Sequence, residues 1–328
     1  IILDAELVEE FVGIIGSRLH SYGTSRVLSS LSVEHDGIDL HAQGVSTGMQ
    51  FEIIVADDYS TDDGAFSAIC STAARLEHCR LIALEENVGR SAIRNLLADN
   101  ALYDKLLFMD CDAAVCSPTF LNDYMGAAEK ADVVCGGLSH QDELPRKGAE
   151  LRWRYERKAD RRRSASYRSR TPYARFTPFN FIISRELFQD IRFNTTFTGY
   201  GYEDVLFGME LEKRGISILH IDNPLIHLGI EDNAEYLKKT EQAIRNLVLH
   251  HEELRHGSTL LQHYDSFVKE EDHFIVYCGD GKLYESEQEE GKRHIQFVKE
   301  TLSELGYKVN QFTAEENMKD RMQIVNSF

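Results

Sequence analysis

Leu106-Leu107-Phe108-Met109-Asp110-Cys111-Asp112 is an apolar run that ends abruptly in two carboxylates one residue apart. A short apolar run that stops in polar residues predicts a covered parallel strand over Leu106–Met109. Side-chain direction repeats every second residue along a strand, so Asp110 and Asp112 leave its carboxyl end the same way. In an open α/β sheet, ligands bind beyond the strands' carboxyl ends, and paired hard oxygen donors there suit a divalent cation. An isolated Asp-x-Asp is more often only a polar turn. The surroundings therefore decide.

Upstream, Glu86-Asn87-Val88-Gly89-Arg90-Ser91-Ala92-Ile93-Arg94-Asn95 reads as a glycine-containing loop entering a helix that runs to about Leu102. Arg80–Leu84 reads as a strand, and residues 65–76 as the helix before it. Phe51-Glu52-Ile53-Ile54-Val55-Ala56-Asp57-Asp58 is a β-rich strand ending in two more acids, followed by turn and capping residues. Leu7, Phe11, Ile14, Ile15 and Leu19 fall on one helical stripe, which predicts an amphipathic helix over Leu3–Leu19. Val27–Val33 reads as a short strand.

Downstream, Pro118–Ala131 suggests a helix, Val133–Gly137 a strand, Phe179–Ile183 a strand and Arg185–Asp190 a helix. Gly199-Tyr200-Gly201-Tyr202-Glu203-Asp204 opens a helix over Val205–Lys213, closed by Gly215. Ile216–Ile221 is another strand, and Pro224-Leu225-Ile226-His227 follows. Strand and helix alternate, which predicts a doubly wound α/β sheet, mixed but mostly parallel and flanked by helices. Residues 45–265 are expected to form the main domain, behind an uncertain segment 1–44. Residues 266–328 would form a small α/β extension, with strands at His273–Cys278 and Tyr307–Phe312, a hairpin turn at Gly279–Gly281 and a helix over Lys292–Leu305.

The chain has 328 residues, 42% of them hydrophobic, enough for a sizeable core. A net charge of -18 makes nucleic acid an unexpected partner. Yet Arg146–Arg175 holds 12 of the 36 lysines and arginines, together with Trp153, Tyr155, Tyr167 and Tyr173. Such a basic, aromatic island suits an anionic ligand. The six cysteines include no CxxC pair and read as reduced, mostly buried thiols. No run approaches the roughly 18 apolar residues of a membrane span, and no signal peptide is evident. The expected location is the cytoplasm, with peripheral contact at the inner face of the cell membrane as an option.

In order, the acidic strand end at Asp57-Asp58, the Asn87–Asn95 loop, Asp110-x-Asp112, Gly-Tyr-Gly-Tyr-Glu203-Asp204 and Pro-Leu-Ile-His227 resemble glycosyltransferase family 2, the inverting enzymes of the GT-A fold. The Gly-Tyr-Gly-Tyr-Glu-Asp version resembles the branch with chondroitin-polymerase-type modules and bacterial polysaccharide transferases. The resemblance covers roughly residues 45–250. It implies transfer of a sugar from a UDP-sugar donor to a glycan or glycolipid acceptor, assisted by Mn²⁺ or Mg²⁺. The family pattern implies Asp204 as general base, with Glu203 orienting a sugar. It implies Asp112 and His227 as metal ligands, with Asp110 on the ribose or on the metal through water. Imidazole leans the choice toward Mn²⁺.

Asp58 resembles the acid that accepts the uracil N–H, and Asp57 either joins it or caps the loop. Asn87 and Arg94 are further nucleotide-side candidates. Arg170, Arg175, Asn180, Tyr200 and Tyr202 are candidates for the acceptor or the diphosphate. Family members usually begin with a strand of the type Ile-Ile-Pro-x-Tyr-Asn, which is not found here; Val27–Val33 stands at about the right distance but lacks the Pro and the Tyr. Two other functions fit the same frame: a sugar nucleotidyltransferase, which normally shows a glycine-rich phosphate loop, and a non-catalytic nucleotide-sugar-binding protein.

Overall fold

The computed structural model describes residues 3–5, 8–15, 40–46, 48, 50–60, 63–262, 273–275 and 308–310. In chain order the elements begin with β1 (Leu3–Ala5), β2 (Val8–Ile15), helix α1 (40–46), β3 (Ile53–Asp57), α2 (Asp63–Arg75), β4 (Cys79–Ala83), α3 (Gly89–Asp99) and β5 (Lys105–Met109). Next come β6 (Ala113–Val115), α4 (Phe120–Ala128), β7 (Val133–Cys135), β8 (Leu138–Ser139), α5 (Glu150–Lys158), α6 (Ala165–Arg168), β9 (Asn180–Ser184) and α7 (Arg185–Ile191). The series closes with α8 (Glu203–Lys213), β10 (Ile218–His220), β11 (Leu225–His227), α9 (Asn233–Leu249), α10 (His251–Leu254), β12 (His273–Ile275) and β13 (Lys308–Asn310).

The main sheet runs β10-β7-β9-β5-β2-β3-β4, and β1 pairs with the start of β2. Its neighbours are parallel except at β1, which runs antiparallel to β2, and around β9, which runs antiparallel to both β5 and β7. This is the mixed, mostly parallel α/β sheet that the alternation predicted.

One element differs in kind. The stretch read as a helix over Leu3–Leu19 supplies two strands, and β2 lies between β5 and β3. Phe11-Val-Gly-Ile-Ile15 is rich in β-branched residues, and a central parallel strand is flanked on both edges, so it needs no period-2 alternation. The spacing that suggested a helical stripe fits such a strand equally well. The first central strand of the sheet is therefore β2, and the candidate at Val27–Val33 lies outside the described residues. So do the expected Gly279–Gly281 turn and Lys292–Leu305 helix. β12 and β13 pair in parallel with each other.

A small second sheet, β6-β11-β8, sits beyond the carboxyl end of β5. Its antiparallel pairing sets Ala113 opposite His227, and Leu228 N–H donates to the Asp112 carbonyl at 2.7 Å. The register thus brings two residues 115 positions apart side by side.

The core that fixes α8 is aromatic. Phe207 of α8 stacks on Phe193 (4.5 Å between centroids) and Phe176 (5.0 Å), and Phe108 stacks on Phe181 across the β5–β9 pair (4.7 Å). All five rings are buried. Truncating a ring such as Phe207 to alanine would cost about 3–5 kcal/mol. That packing holds the first turn of α8 against the end of β5.

Candidate active site

The loop before α8 is forced into an unusual path. Gly199, Gly201 and Tyr202 have φ of +73°, +101° and +71°. Glycine adopts these values freely; Tyr202 does not, and a left-handed non-glycine residue at a helix start is held there by its surroundings. The clamp is Asn246 of α9, whose side-chain amide donates to the carbonyls of Thr198 (3.0 Å), Tyr200 (3.2 Å) and Gly201 (3.1 Å). A Cβ on Gly201 would lie 2.8 Å from the Ala243 Cβ, so only glycine lets the loop lie this close to α9.

Glu203 and Asp204 then open α8. Glu203 is buried and accepts from Arg90 Nε at 3.0 Å and Arg94 Nη1 at 3.3 Å. The same arginines reach Asp110, Arg94 Nη2 at 2.9 Å and Arg90 Nη2 at 3.3 Å. Burial works against the charge on Glu203, but the two guanidiniums outweigh it and keep the carboxyl below its ordinary range. Among the described residues Asp204 has no such guanidinium partner; its Oδ1 accepts from its neighbour's amide, Val205 N–H, at 2.9 Å. Burial, followed by repulsion from Glu203, pushes Asp204 up to about 6. Adjacent carboxylates with pKa values driven apart mark an acid/base site.

A second cluster faces them. His227 Nε2 lies 3.3 Å from Asp112 Oδ2, and its Nδ1 lies 2.7 Å from Glu156 Oε1 on α5. Burial disfavours the imidazolium, yet the two carboxylates raise His227 to about 10. Gly229 packs against Asp112 so closely that a Cβ would fall 2.2 Å from Oδ2. Arg152 Nε donates to Glu156 at 2.6 Å, and Lys239 Nζ to Glu231 at 2.8 Å. Both clusters line one cavity of about 410 Å³, shared by Asp110, Asp112, His227, Glu203, Asp204 and Arg152 among others.

Part of this region, the β5 end with Arg90, Arg94, Arg152 and Glu156, lies in a stretch with a known counterpart in sequence. Residues 38–192 match the model of glycosyl transferase family 2. Over that stretch, just under half of its length, the chain is similar to glycosyl transferase family 2. No curated protein matches it by sequence. Among solved structures, the glycosyltransferase resembles the mannosyltransferase PcManGT from Pyrobaculum calidifontis, in complex with GDP-Man and Mn²⁺, at 12% identity and a TM-score of 0.52, over 96% of this chain and 78% of that one. S. aureus TarS 1–349 matches at 16% identity and 0.47, over 97% and 78%. Glucosyl-3-phosphoglycerate synthase from Mycobacterium tuberculosis matches at 16% and 0.46, over 73% and 79%. At these identities the likeness is one of fold.

Several expected site residues of the glycosyltransferase make structural contacts in the fold. Asp58 is buried, and its two oxygens accept from Val88 N–H (2.7 Å) and Gly89 N–H (3.0 Å), capping the start of α3. Asn87 Nδ2 donates to the Asp58 carbonyl at 3.1 Å. Asp57 accepts from Ser60 N–H at 2.9 Å and from the Ser60 hydroxyl. None of the three lines the cavity. Asn180, expected at the acceptor, is fully buried and ties Tyr124 to the carbonyls of Gly137 and Asn223. Arg170 and Arg175 lie over the Tyr167 ring, outside the cavity lining. Tyr202 packs against the cluster of Phe197, Leu247 and Leu254 and also lines the cavity. Tyr200 lines the cavity, with Arg90 and Lys239 over its ring and Arg152 at its hydroxyl.

Arg90, Arg152, Glu156, Glu231, Lys239 and Asn246 were not singled out from the sequence. The only signals were two four-residue spacings, Arg90 to Arg94 and Arg152 to Glu156, which put each pair on one helix face.

Among the described residues, no group of three or more His, Cys, Asp or Glu is arranged to hold a metal. Asp112 and His227 offer two donors, and Arg90 and Arg94 occupy both oxygens of Asp110. Two protein ligands, with substrate phosphates and water completing the shell, is the usual way Mg²⁺-type ions are held beside nucleotides. The second nitrogen of His227 is on a carboxylate, as in most metal-ligating histidines. The pair therefore fits such an ion. No helix among the described residues is long and apolar enough to cross a membrane.

Proposed function

We propose that this glycosyltransferase moves a sugar from a nucleoside-diphosphate sugar, with UDP as the expected nucleotide, to a hydroxyl of a glycan or glycolipid acceptor, inverting the anomeric centre. The observation that carries the reading is the convergence of Asp204, Glu203, Asp112 and His227 on one cavity from segments far apart in the chain.

Asp204 is the general base. Inversion needs one carboxylate that takes the acceptor proton while the diphosphate leaves from the opposite face. A carboxyl raised to about 6 is still mostly ionised at neutral pH, and is more basic than an ordinary aspartate. Glu203 and Asp110, each bridged to Arg90 and Arg94, keep the base's surroundings rigid. Asp112 and His227 would hold Mn²⁺ or Mg²⁺, which supplies Lewis-acid stabilisation of the departing nucleoside diphosphate. Arg152 and Lys239 add positive charge to the same cavity, which suits an anionic donor.

A hydrolysis panel tests this. UDP- and GDP-sugars are offered with Mn²⁺, with Mg²⁺ or with chelator, and released nucleotide is measured. Metal-dependent release from one donor supports the reading. No release from any donor under any metal condition, together with no calorimetric binding of UDP or GDP, would overturn it.

A further inference from the structure

Glu156 comes from the arginine-rich stretch, yet it is the acid of that stretch that reaches the site. Its side chain is buried, and Oε1 accepts from both Arg152 Nε (2.6 Å) and His227 Nδ1 (2.7 Å). Oε2 is buried and has no hydrogen-bond partner among the described residues. A buried carboxylate with one oxygen left unpaired is a poor choice for packing alone, because apolar residues of similar volume do that at least as well. What Oε1 does is directional. An ionised carboxylate only accepts, so Nδ1 of His227 must carry hydrogen and Nε2 is the nitrogen left facing Asp112.

We propose that Glu156 is the positioning residue of His227: it fixes the imidazole's rotation and tautomer, so that Nε2 is presented with Asp112 to a divalent ion. Arg152, four residues earlier on α5, holds Glu156 in place. This deepens the metal assignment above and depends on it. It also gives part of the basic stretch a duty other than gripping an acceptor: α5 sets a histidine on β11.

The test compares Glu156→Ala, Glu156→Gln and Glu156→Leu in the full chain. Leu refills the volume should the alanine variant not fold. Mn²⁺ affinity is read from the free-ion electron paramagnetic resonance signal with UDP or GDP present. Loss of the acceptor in Ala or Leu is expected to weaken Mn²⁺ binding 10–100-fold, the usual effect of removing such a partner, with partial rescue by Gln through its amide oxygen. In metal-free protein, the His227 Nδ1–H nitrogen resonance should persist in Gln and exchange away in Ala and Leu. Mn²⁺ affinity in Ala or Leu within twofold of the parent would overturn the role of Glu156 while leaving the metal site standing. No Mn²⁺ binding by the parent chain would overturn both.

Discussion

Two strand ends of the same sheet carry paired acids and put them to opposite use. At the end of β3, Asp57 and Asp58 are taken up by backbone N–H groups, and Asp58 is sealed from the cavity. Beyond β5, Asp110 and Asp112 meet side chains instead: two arginines and a histidine that come from elsewhere. An acid that answers the orphan amides of a nearby helix stabilises the fold. An acid whose partners are charged, crowded and drawn from distant segments keeps its chemistry available. Residue type and position on the strand do not tell the two apart; the partner does.

The comparison can be broken at either end. The largest effect belongs to the cavity. Asp204→Asn should lower kcat by about 10²–10⁴-fold, the range for removing a general base, with nucleotide affinity little changed by calorimetry. The same variant should melt at a higher temperature at pH 7. Folded Asp204 titrates near 6 rather than its ordinary 3.8, so between those values the folded chain holds a proton the unfolded chain has released. Its contribution to stability therefore falls as pH rises through that window, and asparagine should recover about 1–3 kcal/mol. Next, Asp112→Ala should abolish Mn²⁺-dependent nucleotide binding; unchanged binding would move the metal elsewhere.

The pH profile comes third. Below about 6 the base is protonated, so kcat/KM should fall tenfold per pH unit there and level off above. An acidic limb absent from the parent enzyme would remove Asp204 from that role. At the β3 end effects should be on stability. Asp58→Ala should cost about 1–2 kcal/mol, as for a lost cap, seen as a lower melting temperature. If Asp58→Asn weakened nucleotide binding at an unchanged melting temperature, the contrast between the two strand ends would dissolve. The smallest effect is at the clamp. Asn246→Ala should cost about 1 kcal/mol and lower kcat more than it changes donor KM, because the loop it releases carries the base.

Much of the sheet was legible because short apolar runs stop at acids, glycines or caps. Ile53–Asp57, Lys105–Met109 and Asn180–Ser184 all lie within a residue or two of where the sequence puts them. β2 was not legible: Glu9 and Glu10 interrupt its apolar pattern, and only its neighbours on both edges make it a strand. The convergence of Asp112 with His227 followed from motif order, whereas the burial of Asp58 and Asn180 did not. A carboxylate aimed at a backbone amide 30 residues away has the same letters as one aimed at a ligand. Glu156 and Asn246 were hidden for a related reason. Their partners lie 71 and 45–48 positions away, beyond any local periodicity.

The order of these parts along the chain has a consequence for synthesis. Asp110 and Asp112 leave the ribosome before Glu203, Asp204 and His227, and the amide that clamps the base's loop emerges later still, at Asn246. A chain that stops before α8 lacks the imidazole, the proposed proton acceptor and the latch. On the proposed mechanism, the ability to split an activated sugar arrives only once α8, β11 and α9 have been made.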